Sequence, residues 1–371
     1  MNAAKRFIVM MGTDMRAPGG MTACVQSYQA AGLFERWDIR YLPSFYRKKT
    51  ANKLWMAAQA LLRFSAWLLM NRVAGLHVHA AARGSLWRKA MFVCLARWRG
   101  VPTVFHLHDG SFPAWYEQEL SPKSQAAVRW VLRSADRVVV LSEGWGEALR
   151  RIEPAARIHP IQNPVMIPAA ELAHAESGRI LFLGRLWPEK GIYELLEAMA
   201  QLLRRWPQLE LVCAGDGDLA AVQARIQTLG LQGRVRLTGW LDEQQKNQEL
   251  ARASLFVLPS YFEGVPIGIL EAMAWSVPVV ASDVGGVAEA LNGEAGLLCA
   301  PGDVPSLVLA MSQVLENPEL AQSLGRAGRA RVLKVHDMHR VVDRLSGLYM
   351  ELGLTLRDSG AGPRDAGLAG Q

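Results

Sequence analysis

The chain has 371 residues, 50% of them hydrophobic and 20% charged, with a formal net charge of +7 and only four cysteines. That composition excludes a disordered or disulfide-built chain, and the length exceeds what one hydrophobic core usually supports, so about two to three packed units are expected. Cys24, Cys94, Cys213 and Cys299 show no CxxC spacing and each lies in or beside an apolar run, which argues against zinc and disulfides and for a reducing, cytosolic setting.

FIVMMG, near the start, is too short for a secretory leader or a membrane span and reads as a first strand. Apolar strand-like runs then alternate with longer helical patterns. WDIRYL, GLHVH, PTVFHL, DRVVVLS and RIHPIQN follow in the first half; GRILFLG, QLELVCAG, RVRLTG, SLFVLPS, VPVVAS and GLLCA make up the second. This is βαβ organisation repeated twice, and it predicts an α/β protein of two facing, Rossmann-like, doubly wound domains with a ligand cleft between them. The stretch 163–178 carries two prolines without a clear period and is read as the linker, giving domains over residues 1–165 and 166–356. The last helix of the second domain is a candidate to pack back on the first. From Arg357 the tail, RDSGAGPRDAGLAGQ, has the composition of a disordered segment.

Four places along this frame carry chemistry. Gly19 and Gly20 sit between the first strand and a helical pattern, where residues without side chains let backbone N–H groups approach a ligand. The fourth strand ends in His106, His108 and Asp109. The two histidines share a strand face, but this HxHD run lacks a distant partner to complete a metal site, so no metal is expected. His77 and His79, ending the third strand, read as structural. In GRLWPEKG, Arg185 and Lys190 bring two cations towards a helix start, where a diphosphate would sit.

The fourth place is YFEGVPIGILEAMA. Glu263 falls in a loop after a buried strand, Pro266 suits a first helical position, and Glu271 follows a little over one turn later. Helix-start N–H groups at Ile267, Gly268 and Ile269 favour phosphate, while carboxylates accept paired hydrogen bonds from vicinal hydroxyls. A nucleotide sugar presents both. AGDGDLAA imitates a dinucleotide fingerprint, yet Val235 and Leu237 stand where its acidic residue is required, and Asp216 and Asp218 read as a tight polar turn. No cofactor is expected.

EGVPIGILEAMA followed by PVVASDVGG, together with GRLWPEKG, resembles the donor-binding signature of retaining glycosyltransferases of family 4, which have the GT-B fold. The resemblance covers nearly the whole chain and is most specific in the second half. It implies that Arg185 and Lys190 neutralise the donor's pyrophosphate, Glu271 binds the ribose and Glu263 the transferred sugar. From Pro102, the family's histidine lands on His108, implied to steady the reacting sugar. The family's glycine loop matches Gly20 most closely, with Gly19 one register away. Retention in such enzymes proceeds without a metal, and the leaving-group oxygen can itself take the acceptor proton, so no nucleophile is named. The expected partners are a UDP- or GDP-linked sugar and a hydroxyl acceptor, a lipid-linked saccharide in polysaccharide assembly. A sugar-nucleotide epimerase or hydrolase and a non-catalytic adaptor are the competing readings.

Residues 1–165 hold 23 basic against 10 acidic side chains, leaving 18 and 24 to the rest. The excess gathers with aromatics in FYRKKTANKLWMAAQALLRFSAWLLMNR, where Arg63 interrupts the apolar run. This reads either as a core-packed helix with a basic end or as an interfacial helix carrying Trp55 and Trp67 against anionic lipid at the inner membrane face. No nucleic-acid reading motif accompanies the charge.

Overall fold

The computed structural model describes residues 6–45, 50–169 and 175–356. The tail expected to be disordered lies outside these residues, as do Lys48, Lys49 and part of the linker. All twelve expected strands form, in two six-stranded sheets. The first contains β1 (Phe7–Thr13), β2 (Ile39–Phe45), β3 (Val73–Ala80), β4 (Thr103–Leu107), β5 (Arg137–Val140) and β6 (Ile158–Pro160) in the order 2-1-3-4-5-6. The second contains β7 (Arg179–Leu183), β8 (Glu210–Ala214), β9 (Val235–Gly239), β10 (Leu255–Leu258), β11 (Val279–Ser282) and β12 (Leu297–Cys299), in the order 12-11-10-7-8-9.

Every strand pair is parallel. Parallel strands covered on both faces read as apolar runs without alternation, and Phe7 to Met11 of β1 are accordingly all buried. In the first sheet the connection reverses between β1 and β3, in the second between β7 and β10. Ligands bind at such reversals, beyond the carboxyl ends of the strands. The loops after β1, β7 and β10 carry Gly19–Gly20, Arg185–Lys190 and Glu263 respectively, and His108 follows β4. The topology therefore places these residues at carboxyl edges, while Ile267, Gly268, Ile269 and Glu271 lie in the helix Ile267–Ala274 that follows the loop after β10.

The final helix, Met338–Glu351, packs against the first sheet's helices: Val341, Val342, Leu345, Leu348 and Tyr349 share a buried cluster with Ile8, Met10, Tyr28 and Trp37. Trp37 Nε1 donates to Ser346 Oγ at 2.9 Å, and Arg36 pairs with Asp343 at 2.9 Å. Between the sheets, Val165 accepts from Met338 N and donates to His336 O, so the crossing segments are tied by backbone bonds.

The helix Thr50–Leu69 has two apolar faces. Ala60, Phe64 and Leu68 are buried, and Trp67 packs edge-on against Phe7 at 5.2 Å. Trp67 therefore faces the protein, whereas Trp55, Leu62 and Leu69, seven residues apart and so on one stripe, stay exposed. No helix among the described residues is long and apolar enough to cross a membrane.

Candidate functional site

Three helices begin at the cleft with no side-chain cap. Gly19 precedes the helix Gly20–Ala30, Gly191 precedes Ile192–Leu202, and Pro266 precedes Ile267–Ala274. Uncapped starts are not confined to the cleft, since Arg83 and Asp303 also lack a side-chain cap, whereas Ser121, Asp218, Asp242 and Asn317 cap their helices with side-chain oxygens. The first N–H groups of an uncapped helix have no intrahelical acceptor and carry the positive end of its dipole, so these starts suit anionic oxygen. Pro266 occupies the cap itself, one position earlier than its sequence suggested, and Ile267, Gly268 and Ile269 are the first three helical residues. Ile269 is buried, Ile267 packs on the first unit's core, and a Cβ on Gly20 would lie 4.0 Å from Ile267 Cδ1. Two helix starts from opposite units thus face each other.

The loop after β10 meets the loop after β4 backbone to backbone. A Cβ built on Gly110 would fall 1.9 Å from Glu263 O, and one on Gly264 would fall 3.2 Å from His108 O. Glycine at 110 is what lets the two units close this tightly. Gly285, with φ +55°, approaches the same Glu263 carbonyl, and a Cβ built on it would also fall 1.9 Å from Glu263 O. Asn163 Nδ2, from the linker, donates to Val265 O at 2.8 Å. Glu289 reaches across to accept from Glu143 N and Gly144 N, at 2.9 and 3.1 Å.

Within this frame Lys190 Nζ donates to Glu263 Oε1 at 2.5 Å, and Ser260 Oγ donates to the same oxygen at 2.8 Å. Two residues given separate tasks by the sequence are joined in an ion pair, with about a tenth of the Glu263 side chain exposed. Arg185, after β7, lies over the Trp187 ring at 4.6 Å and 3.7 Å from Asp216. Asp216 is thus a neighbour of the cation, and Asp218 caps a helix through Ala221 N at 3.0 Å.

Glu271 is held by an ion pair to Lys246, a residue on the helix Glu243–Arg252 that sequence reasoning missed. Burial pushes the Glu271 carboxyl above its usual range, and the Lys246 ammonium opposes the shift. A carboxylate inside a helix of otherwise apolar residues demands a counter-charge, which was the signal available.

His108 stands just past β4, its ring 4.3 Å from His106 and its Nε2 2.7 Å from His79 Nδ1. Burial holds His108 neutral, its pKa lowered to about 3. Asp109 is consumed by the turn: Oδ2 accepts from Ala82 N, and Oδ1 from Ser111 N and Oγ. The edge therefore offers one neutral imidazole, two cations, two carboxylates and three helix starts around one cleft.

Comparisons with known proteins bear on this arrangement. Residues 15–164 match the model of the glycosyl transferase 4-like domain, and residues 177–317 that of glycosyl transferases group 1. A 2-deoxystreptamine N-acetyl-D-glucosaminyltransferase of Niallia circulans is 31% identical over 338 residues, covering 84% of this chain and 86% of that protein. The glycogen synthase of Mycobacterium tuberculosis is 31% identical over 271 residues, covering 70% of this chain and only 65% of the synthase. Among solved structures, sucrose-phosphate synthase of Thermosynechococcus elongatus superposes with a TM-score of 0.80 at 22% identity, over 94% of this chain and 99% of that one. HepE of Anabaena, solved with UDP-glucose, gives 0.72 at 20% identity, over 93% and 99%. These structural likenesses establish the GT-B fold.

Proposed function

The chain belongs to the group 1 glycosyl transferases, and from that membership we propose that it moves a hexose-type sugar, with retention and without a metal, from a UDP- or GDP-linked donor to a hydroxyl acceptor. The observation that carries the reading is the meeting of Lys190 and Glu263 beside uncapped helix starts, across a glycine contact from His108. In this reading Arg185, Lys190 and the N–H groups of Ile267 to Ile269 hold the diphosphate and stabilise its departure. Glu271 accepts from the ribose hydroxyls and Glu263 from the sugar, after Lys190 turns from the carboxylate to the phosphate. Gly19 and Gly20 bring backbone N–H groups to the same charge. His108 steadies the reacting face, and the departing diphosphate oxygen takes the acceptor's proton. Structural neighbours solved with bound UDP or UDP-glucose, HepE of Anabaena and the pneumococcal O-GlcNAc transferase GtfA, support a uridine donor.

The acceptor we propose is a lipid-linked saccharide at the cytoplasmic face of an anionic membrane. The exposed Trp55, Leu62 and Leu69 stripe and the basic excess of the first unit support it. Screening UDP- and GDP-sugars for protection against thermal unfolding identifies the donor, because a ligand bound only by the native state raises its stability. Glu263→Ala should then abolish transfer while leaving the fold intact. Undiminished transfer by that variant would overturn the site, and sugar release without any acceptor would mark a hydrolase instead. Flotation with anionic vesicles, lost in Trp55→Ala/Leu62→Ser, tests the membrane face.

A further inference from the structure

Beneath the cleft, four histidine rings fill one face of β3 and β4. His77 and His79 alternate along β3, His106 and His108 along β4 and its exit, and the register pairs His79 with His106. His77 and His79 stack at 4.6 Å, His79 and His106 at 4.9 Å, and His106 and His108 at 4.3 Å. His77, His79 and His106 are wholly buried. One fully buried imidazole within an apolar sheet is tolerable; three of them, touching the residue at the cleft, call for a physical account.

A metal is one candidate, since nitrogens of His77, His79 and His106 lie within 4.8 Å of one another. Ring orientation argues against it. An imidazole lone pair lies in its ring plane, and zinc needs each donor nitrogen to aim at one point about 2 Å away. These three planes are inclined by only 15°, 18° and 29° to one another, and His79 stacks on both of the other rings, so no single point about 2 Å from the three nitrogens lies in the plane of His79 and in those of its neighbours.

Hydrogen bonding accounts for the arrangement better. Burial keeps the rings neutral: the pKa of His77 falls to about 3, as does that of His108, and those of His79 and His106 are driven down as well. A neutral imidazole has one N–H and one lone pair, so each bond fixes the other nitrogen. Tyr349 Oη lies 2.5 Å from His77 Nδ1, and His77 Nε2 lies 3.2 Å from His106 Nδ1. His106 Nε2 is buried with no hydrogen bond among the described residues, so His106 carries its proton on Nδ1 and donates to His77 Nε2, and His77 Nδ1 donates to Tyr349 Oη.

The second chain is His79 Nδ1 to His108 Nε2, at 2.7 Å. His79 Nε2 is buried and makes no hydrogen bond among the described residues. If His108 donated, His79 would have to carry its proton on that orphaned atom; if His79 donates, the orphan is a bare lone pair. A buried N–H without an acceptor is the rarer and costlier outcome. His79 is therefore the donor.

We propose that His79 is a positioning residue that locks His108 in the tautomer protonated on Nδ1, so that His108 presents an N–H donor to the bound sugar and is barred from acting as a base through Nε2. This rests on the transferase reading of the cleft, in which His108 faces the sugar. The stacked His106 and the Tyr349-anchored His77 pack against the two rings and limit their rotation, as outer partners orient a ligating imidazole in metal sites.

The tautomer can be read without turnover. In ¹⁵N-histidine-labelled protein, with His108 assigned by its disappearance in His108→Gln, Nδ1 should resonate as a protonated nitrogen and Nε2 as a hydrogen-bonded acceptor. Two variants supply the kinetic arm. His79→Asn returns an N–H near the Nδ1 position and should keep kcat within about threefold, whereas His79→Leu should lose about 10- to 100-fold in kcat with the donor KM little changed. A proton on His108 Nε2, equal kcat loss in the two variants, or one equivalent of tightly bound zinc in the purified protein would each overturn the proposal. Should no nucleotide sugar be turned over at all, the transferase reading fails, while the nitrogen spectrum still decides the tautomer.

Discussion

Replacing Gly110 by alanine adds one methyl group at the point where the two units touch, and nothing else. Gly110 is not among the residues with positive φ, so the substitution carries no backbone strain of its own. The new Cβ would lie 1.9 Å from Glu263 O, against a floor near 3.0 Å for such contacts, so the β4 and β10 loops must part by about 1 Å. Glu263 O also lies close to Gly285, where a built Cβ would fall 1.9 Å from it, so the loop carrying it has little room to yield. The displacement therefore falls on the distance between His108 and Glu263. A misplacement of about 1 Å between reacting groups costs about 100-fold in rate, and we expect kcat to drop by that order. The donor should still protect the protein thermally, because Arg185, Lys190 and Glu271 all belong to the second unit. The assay is transfer at saturating donor, with circular dichroism confirming the fold. A kcat within about threefold of wild type would show that the contact does not set the geometry of the site.

Acid should destabilise the protein through its neutral histidines. The pKa values of His77 and His108 fall from 6.5 to about 3 on folding, so between those values the unfolded chain binds protons that the native state does not, and stability is lost as pH falls below 6.5. Between pH 7.5 and pH 5 this amounts to about 2 kcal/mol for each of the two; urea midpoints unchanged over that range would refute it. Lys246→Ala leaves Glu271 without its counter-charge, so the Glu271 pKa should rise further. The donor KM should rise about tenfold, with its acid limb moved to higher pH; steady-state kinetics from pH 5 to 8 give the answer. Gly347, inside the last helix with open space around its Cα, should accept alanine with a gain of about 0.5–1 kcal/mol, measured by chemical denaturation.

The twelve strands were legible because parallel strands covered on both faces need apolar side chains throughout, a local requirement that β1, β7 and β10 satisfy within seven, five and four residues. The helix starts were legible for a similar reason, since Gly19, Gly191 and Pro266 act on their own backbone. Pairings across space were not. Lys190 and Glu263 were each found, but their ion pair joins loops 73 residues apart. Lys246 meets Glu271 from a helix whose sequence, EQQKNQELAR, looks wholly solvated. Trp67 points inward because it adjoins Phe64 and Leu68 on the helix face that meets Phe7, a choice settled by where β1 lies. The bond from His79 to His108 depends on the lateral register of β3 and β4, which neither strand's letters contain.

The last helix gives the chain an order of assembly. Ile8, Met10, Tyr28 and Trp37 complete their buried cluster with Val341 to Tyr349, some 300 residues downstream, after the rest of the second unit has been made. At ribosomal speeds of about 5–20 residues per second, an apolar surface on the first unit waits about 10 to 40 s between the emergence of β6 and that of its cover. A nascent chain in that interval presents Trp37 to whatever else is nearby. Crowding partners or chaperones thus have a defined window in which to act, and ribosome stalling before residue 338 would hold it open.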